Sequence, residues 1–360
     1  MKILIDINHP AHVHYFRNFI KEMESKGHQF CVINRDSKMI NQLLDYYGIE
    51  HTIRNKRPKR KGAFVSMLNL IRMTLWCIKK SLFFRPDLYM GFASSACAIT
   101  SSLFRRPCII MDDTEFNKMN HKIYVPFCSV VLTPFYFKKK LGNGKKQIYF
   151  KAFVEQLFLQ SKYYRKDESI LMDLQLRSGE YVVVRLSAFD AHHDLMTNPL
   201  PEDFKKMIIA KISERYRVVL SLENVSDDMF YKPYLVNFSP EKMHDIEAHA
   251  KFVVTEGITM ASEYFVMGVP YLLINPLKCG YNDYQIEKYP NLYFYSTDKE
   301  EIMDIIDKLL SLSTNATAGI REEIESSTIN PTDFLVWFVE NYPKSKRIML
   351  ETPDYQYKFR

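Results

Sequence analysis

Short apolar runs bounded by turn-forming residues recur along the chain, and between them apolar residues fall three and four apart. Lys2 to Asp6 reads as a strand, Phe16, Phe19, Ile20 and Met23 follow at helical spacing, and Phe30 to Ile33 is a second strand. Met39, Ile40, Leu43, Leu44 and Tyr47 mark a second helix. Asp87 to Gly91, Cys108 to Met111 and Val130 to Thr133 read as further strands, with a helix over Ser94 to Phe104 between the first two. After a polar stretch from Gln160 to Glu168 the alternation restarts. Strands are expected at Tyr181 to Leu186, Arg217 to Leu222, Phe252 to Thr255, Tyr271 to Ile274 and Leu292 to Tyr295. Helices are expected near Glu202 to Glu214, Pro240 to Ala248, Thr259 to Met267 and Lys299 to Leu310. Such alternation predicts parallel strands with crossover helices, hence open α/β sheets. The expected organisation is two α/β domains, 1–155 and 156–342, and a tail, 343–360, that has no clear period and no assigned function.

Composition narrows the class. With 360 residues, 47% hydrophobic and 25% charged, and only 11 Gly and 16 Pro, the chain is an ordinary globular one long enough for two domains. The six cysteines lie far apart with no C-x-x-C pair, which points to a reducing cytoplasm and away from Cys-ligated zinc. Met1 to Ile7 lacks the cleavage signature of a secretory signal, so no export is predicted. The most apolar stretch, Gly62 to Phe84, is interrupted by Asn69, Arg72, Lys79 and Lys80, short of the roughly 18 uncharged residues that span a bilayer. Burial against the sheet would account for most of its apolar residues. Its alternative is peripheral contact, through 54–84, with the inner face of the cytoplasmic membrane.

Charge is uneven. The formal net charge is +7, and six of the eight residues from Arg54 to Lys61 are basic. Lys138, Lys139, Lys140, Lys145 and Lys146 form a second cluster. Such runs suit anionic lipid or phosphorylated ligands, or are simply solvated loops. No helix-turn-helix or zinc module accompanies them, so no nucleic-acid partner is expected.

Four segments carry candidate chemistry. The first strand-end loop, Asp6-Ile7-Asn8-His9-Pro10-Ala11-His12-Val13-His14, places three of the chain's ten histidines in six residues before a helix N-terminus. Imidazole titrates near neutrality, so His12 or His14 is a candidate to deprotonate an acceptor hydroxyl; the alternative is that one of the three merely caps the helix or bonds a neighbouring strand. Met111-Asp112-Asp113-Thr114-Glu115 gathers carboxylates at a strand end. Asp113 and Glu115 are acid/base candidates, Asp113 or Thr114 alternatively a helix cap, and no metal site is expected because no further ligand set adjoins. Val184-Arg185-Leu186-Ser187 puts a planar cation where it can grip a diphosphate; an ion pair is its alternative, and His192 and His193 are less specific. Finally, Phe252-Val253-Val254-Thr255-Glu256-Gly257-Ile258-Thr259-Met260-Ala261-Ser262-Glu263, running on to Met267-Gly268-Val269-Pro270, reads strand, Gly turn, helix, Gly-x-Pro turn. Gly257 permits close approach, Thr259 can cap the helix, and the helix N-terminus would then face a phosphate. Glu263 lies one turn in, where it can accept ribose hydroxyls or simply complement the dipole.

This last segment resembles the donor-binding motif of GT-B glycosyltransferases and of the non-hydrolysing UDP-N-acetylglucosamine 2-epimerases that share their fold. More closely, Asp-Ile-Asn-His-Pro-Ala-His-Val-His-Tyr-Phe, the Val-Val-Val-Arg strand and Gly-Ile-Thr-Met-Ala-Ser-Glu resemble the prokaryotic domain-of-unknown-function 354 family, from Met1 to about Asn341. The resemblance implies a GT-B α/β fold of two Rossmann-like α/β/α domains with parallel sheets facing a central cleft. It also implies a nucleotide-sugar held mainly by the second domain and an acceptor approached from the first. Glu263 would match the ribose carboxylate, Gly257, Ile258, Thr259 and Met260 the diphosphate-facing turn, Arg185 with Ser187 the cleft side of the donor site, and His12 and His14 the paired histidines. The usual glycine-rich run is reduced here to Gly257, with Glu256 adjoining. The leading expectation is a cofactor-free, metal-independent glycosyltransferase of cell-envelope or exopolysaccharide synthesis, acting on a glycan or polyprenyl-linked acceptor. A nucleotide-sugar 2-epimerase, with Asp113 and Glu115 exchanging a proton at the sugar's second carbon, and a non-catalytic nucleotide-sugar-binding protein are the alternatives.

Overall fold

The structure, a computed structural model, describes residues 1–54, 62–186, 200–222, 228–313 and 315–360. The basic residues Lys56 to Lys61, Ser187, His192 and His193 lie outside the described residues. Two compact units are formed, Met1–Tyr163 with Glu325–Arg360, and Tyr164–Ile324.

The first unit is built on seven parallel strands: β1 Lys2–Ile7, β2 Gln29–Arg35, β3 His51–Arg54, β4 Leu88–Phe92, β5 Cys108–Met111, β6 Val130–Pro134 and β7 Gln147–Phe150, ordered β3-β2-β1-β4-β5-β6-β7. Helices α1 Pro10–Ser25, α2 Lys38–Tyr46, α3 Ala63–Phe84, α4 Ser95–Leu103 and α5 Lys118–Phe127 connect them. The central strands are buried along their length, so they read as apolar runs and not as alternations. Leu4, Ile33, Tyr89, Ile110 and Val131 form one core with Cys77, Cys97, Cys108 and Cys128, whose free thiols act as small hydrophobes.

The second unit has five parallel strands: β8 Tyr181–Leu186, β9 Arg217–Leu222, β10 Val253–Thr255, β11 Tyr271–Leu273 and β12 Tyr293–Tyr295, ordered β12-β11-β10-β8-β9. Val182, Val184, Leu220, Val254 and Leu272 pack there against Ile208, Ile212, Ile302, Ile306 and Leu309 of the flanking helices.

Strand order marks where sheets of this kind take their ligands. In each sheet the chain runs outward on one side of its first strand and then returns to the other side. That reversal falls between β1 and β4 in the first unit and between β8 and β10 in the second, the place beyond the strands' carboxyl ends where open α/β sheets generally take their ligands.

Two regions differ from the sequence-based expectation. Residues 325–342, expected with the second domain, sit in the first unit along with the tail. The helix Pro331–Glu340 lies beside α1, Thr332 donates to the Leu157 carbonyl at 2.9 Å, and Phe334 stacks on Phe150 at 6.3 Å. The tail itself is helical over Lys344–Glu351, and Lys346 donates to the Ser129 carbonyl at 3.0 Å. The second difference is α3. Burial against the sheet was expected to absorb its apolar residues, but the side it turns inward is narrow. Cys77 and Ser81 are buried there, with Ser81 accepting the Tyr89 hydroxyl at 2.7 Å, whereas Phe64, Met67, Leu68, Ile71, Leu75, Leu82 and Phe83 are exposed. No helix among the described residues is long and apolar enough to cross a membrane.

Candidate functional site

In the second unit the site begins at the carboxyl end of β10. Thr255 turns its hydroxyl back to accept the Gly257 N–H at 3.0 Å, which stops the strand and opens the turn. The helix Ile258–Met267 starts there with Gly257 as N-cap and without a side-chain cap, so Thr259 sits inside the first turn and does not cap it. The first N–H groups of a helix have no acceptor within it. Gly257 through Met260 are half-exposed, which leaves this N-terminus accessible. The helix stops at Gly268, whose φ of 74° is left-handed backbone that a side chain resists.

Glu256, the carboxylate beside the turn, is buried and held 3.5 Å from the Lys205 ammonium. Its charge is therefore compensated from within the unit, and Asn275 fixes its backbone by donating to the Glu256 carbonyl at 2.7 Å. Arg185, on the neighbouring strand β8, is half-buried and donates to the Ser221 hydroxyl at 3.0 Å. Glu263 is only 5% exposed, its carboxylate 3.4 Å from Nε2 of His244. Behind it Glu247 is fully buried. It accepts the Tyr264 hydroxyl at 3.0 Å, and burial, opposed in part by Arg185 and reinforced by Glu263, pushes its carboxyl up to about 8. Arg185 and Glu263 thus belong to one buried charged cluster with His244 and Glu247, neither of which the sequence singled out.

In the first unit the carboxyl ends of β1 and β4 are braced by Asp6. Fully buried, Asp6 pairs with Arg54 at 3.1 Å and accepts from Asn8 at 2.8 Å and from the Ser94 hydroxyl at 2.5 Å. Arg54 also bonds the Asn8 side chain. Gly91 is required where these loops meet, because a Cβ there would stand 2.6 Å from that of Ser94.

The three histidines separate into three environments. His9 caps α1, its Nδ1 accepting the Ala11 N–H at 3.2 Å. His14 is buried between Phe158, 5.1 Å away, and the edge of Tyr47. His12 packs at 5.0 Å on Phe92, and its Nδ1 accepts the Asn8 N–H at 3.3 Å. Burial, and then the neighbouring His9 and Arg35, hold His12 well below the usual imidazole range. A neutral ring whose Nδ1 accepts carries its proton on Nε2, so His12 presents a donor and not a basic lone pair.

The β5 carboxylates also divide. Asp112 is buried, accepting from the Tyr124 hydroxyl at 2.6 Å and the Thr114 N–H at 2.9 Å, with His121 at 3.1 Å. Lys139 closes this network 2.8 Å from the other His121 nitrogen. Glu115 accepts the Lys138 N–H at 2.6 Å and anchors the following loop. Asp113 accepts the Thr114 hydroxyl at 2.9 Å. Burial and the adjacent Asp112 push its carboxyl up to about 7, and it lies near the buried Tyr136, whose hydroxyl is raised by burial and then by Glu155 and Asp113. A carboxyl poised near neutral pH at a strand's carboxyl end can take or give a proton under working conditions.

A family model described as "Protein of unknown function (DUF354)" matches residues 1–343. The chain belongs to this family. An uncharacterised protein of Methanocaldococcus jannaschii is 22% identical over 368 residues, covering 96% of this chain and 99% of its own. Among solved structures, the UDP-GlcNAc 2-epimerase of Neisseria meningitidis bound to UDP-GlcNAc is similar with a TM-score of 0.66 at 11% identity, over 94% of this chain and 99% of the other. CalG4, the calicheamicin glycosyltransferase, is similar with a TM-score of 0.60 at 14% identity, over 95% and 99%. At such identities the likeness is one of fold, and this member of the family has the GT-B fold.

Proposed function

We propose that this protein is a glycosyltransferase that moves a sugar from a nucleoside diphosphate donor to a glycan or lipid-linked acceptor in envelope polysaccharide synthesis. The observation that carries the reading is the uncapped, half-exposed helix N-terminus at Gly257 to Met260, at the strand-order reversal of the second unit, with the adjoining Glu256 neutralised by Lys205. Backbone N–H groups there suit the diphosphate, on which negative charge develops as the sugar leaves. Arg185 adds to the donor side, and Glu263 serves the ribose by exchanging its His244 contact for hydroxyls.

The acceptor side falls to the first unit. Asp113 takes the proton from the acceptor hydroxyl as its oxygen attacks the anomeric carbon and the bond to the diphosphate breaks. His12 donates a hydrogen bond from Nε2, orienting a ligand oxygen, and His14 holds α1 in place. This division gives the base role to the one candidate of the first unit whose carboxyl is pushed up to about 7.

Epimerisation is the second reading, favoured by the similarity in fold to an epimerase bound to UDP-GlcNAc. Asp113 and Glu115 would then exchange a proton at the sugar's second carbon. Incubation with nucleotide-sugars in deuterated buffer separates the two. Transfer requires an acceptor and leaves the recovered donor unlabelled; deuterium in the donor without any acceptor assigns epimerisation and overturns the transferase reading.

A further inference from the structure

We propose that the outer face of α3 is a docking surface for an anionic lipid bilayer, with the helix lying in the plane of the interface. Phe64, Leu68, Ile71, Leu75 and Leu82 recur at intervals of four, three, four and seven residues, which sets them in one row along a helix of 3.6 residues per turn. Met67 widens the row on one side and Phe83, 80% exposed, on the other. The opposite side is already satisfied, by α4 and by the Ser81 bond to Tyr89. A continuous apolar row on a surface helix is costly in water and marks a binding face.

Charge selects the occupant. Arg72 and Lys79 are exposed along one flank of the row, Lys79 lying 5.4 Å over the Trp76 ring, and Arg85 follows the helix. From Glu50 to Asp87 the sequence contains no carboxylate between those two residues. An apolar row edged by cations and tryptophan matches an acyl boundary beneath anionic headgroups. A second copy placed symmetrically on this face would bring like charges together. The helix is too interrupted to cross a bilayer, and in-plane seating needs no crossing. This inference is independent of the donor chemistry and survives its failure.

The test is flotation of the full-length protein with vesicles of phosphatidylcholine alone and of phosphatidylcholine with phosphatidylglycerol, alongside light scattering. The wild type should float with the phosphatidylglycerol vesicles and less so at high salt. Arg72→Glu/Lys79→Glu should lower partitioning by well over tenfold, at about fivefold for each cation lost and more for the reversed charge. Leu75→Gln/Phe83→Gln should abolish flotation with an unchanged melting temperature, while Met207→Gln, exposed on the other unit, should float as wild type. Absence of wild-type flotation, or flotation undiminished in both double variants, overturns the proposal. So does a wild-type dimer that Leu75→Gln/Phe83→Gln converts to monomer without any lipid binding, which would assign the face to a second copy.

Discussion

Replacing Asp113 with asparagine should stabilise the protein at neutral pH while removing its activity. Burial and the neighbouring Asp112 push the Asp113 carboxyl from an ordinary 3.8 up to about 7. Below pH 3.8 the group is protonated in both folded and unfolded chains and has no effect on stability. As the pH rises toward 7 the unfolded chain releases the proton and the folded one retains it, so stability falls through this window and stays reduced above it. A gap of about three pH units, at 1.36 kcal/mol each, sets an upper value of about 4 kcal/mol. Asparagine has the shape of the protonated acid, keeps an acceptor for the Thr114 hydroxyl and does not ionise. Urea unfolding of both proteins from pH 4 to pH 8 should give coincident midpoints at the acid end and a gain of about 2–4 kcal/mol for Asp113→Asn at pH 8. Turnover should fall by about 10²–10⁴ if the carboxylate is the base. Equal stability at pH 8, or the same gain at pH 4 as at pH 8, would refute the assignment of a buried, near-neutral carboxyl.

Three further outcomes follow from the pairings. Arg54→Met strands the fully buried Asp6 without its cation and should destabilise by about 3–5 kcal/mol in urea unfolding, with Asp6→Asn/Arg54→Met recovering much of the loss. Glu247→Gln keeps an acceptor for Tyr264 and removes a carboxyl raised to about 8, so thermal melts should show a gain that grows from pH 4.5 to pH 8 and is absent below. His12→Gln, which retains a donor, should keep more activity than His12→Phe, and the acid limb of the pH–rate profile, set by the Asp113 carboxyl at about 7, should persist in His12→Gln; loss of that limb in His12→Gln would restore His12 as the base.

Much of the fold was legible because its central strands are buried on both faces. Ile3-Leu4-Ile5, Ile109-Ile110 and Val182-Val183-Val184 announce themselves as unbroken apolar runs. The edge strands of the first unit do not: β3 is His-Thr-Ile-Arg and β7 Gln-Ile-Tyr-Phe, each short and partly polar because one side meets no neighbouring strand. The helix Pro331–Glu340 carries an ordinary start signal, Asn330 followed by Pro331, but that signal gives no hint that it packs on α1 and not on the strands preceding it.

The candidate site was legible in its turns and obscure in its partners. The Gly257 turn and the Asp112–Asp113 strand end can be read from local order. What decides their chemistry lies far along the chain: Lys205 neutralises Glu256, His244 covers Glu263, and Arg54, which reads as part of a solvated basic run, is buried against Asp6. His12 is the exception, since its proton is placed by Asn8 only four residues earlier, yet the donor there is a backbone N–H that no side-chain pattern reveals.

The central claim is that a nucleoside diphosphate binds at the amino end of the helix Ile258–Met267, and Thr259→Glu tests it most directly. A carboxylate in the first turn complements the helix dipole by about 0.3–1 kcal/mol and should leave the melting temperature equal or higher. The same charge opposes a diphosphate. Calorimetric titration with UDP, dTDP, GDP and CDP should show one of them binding the wild type and at least tenfold weaker binding to the variant. Undiminished binding by a correctly folded Thr259→Glu protein would contradict the account.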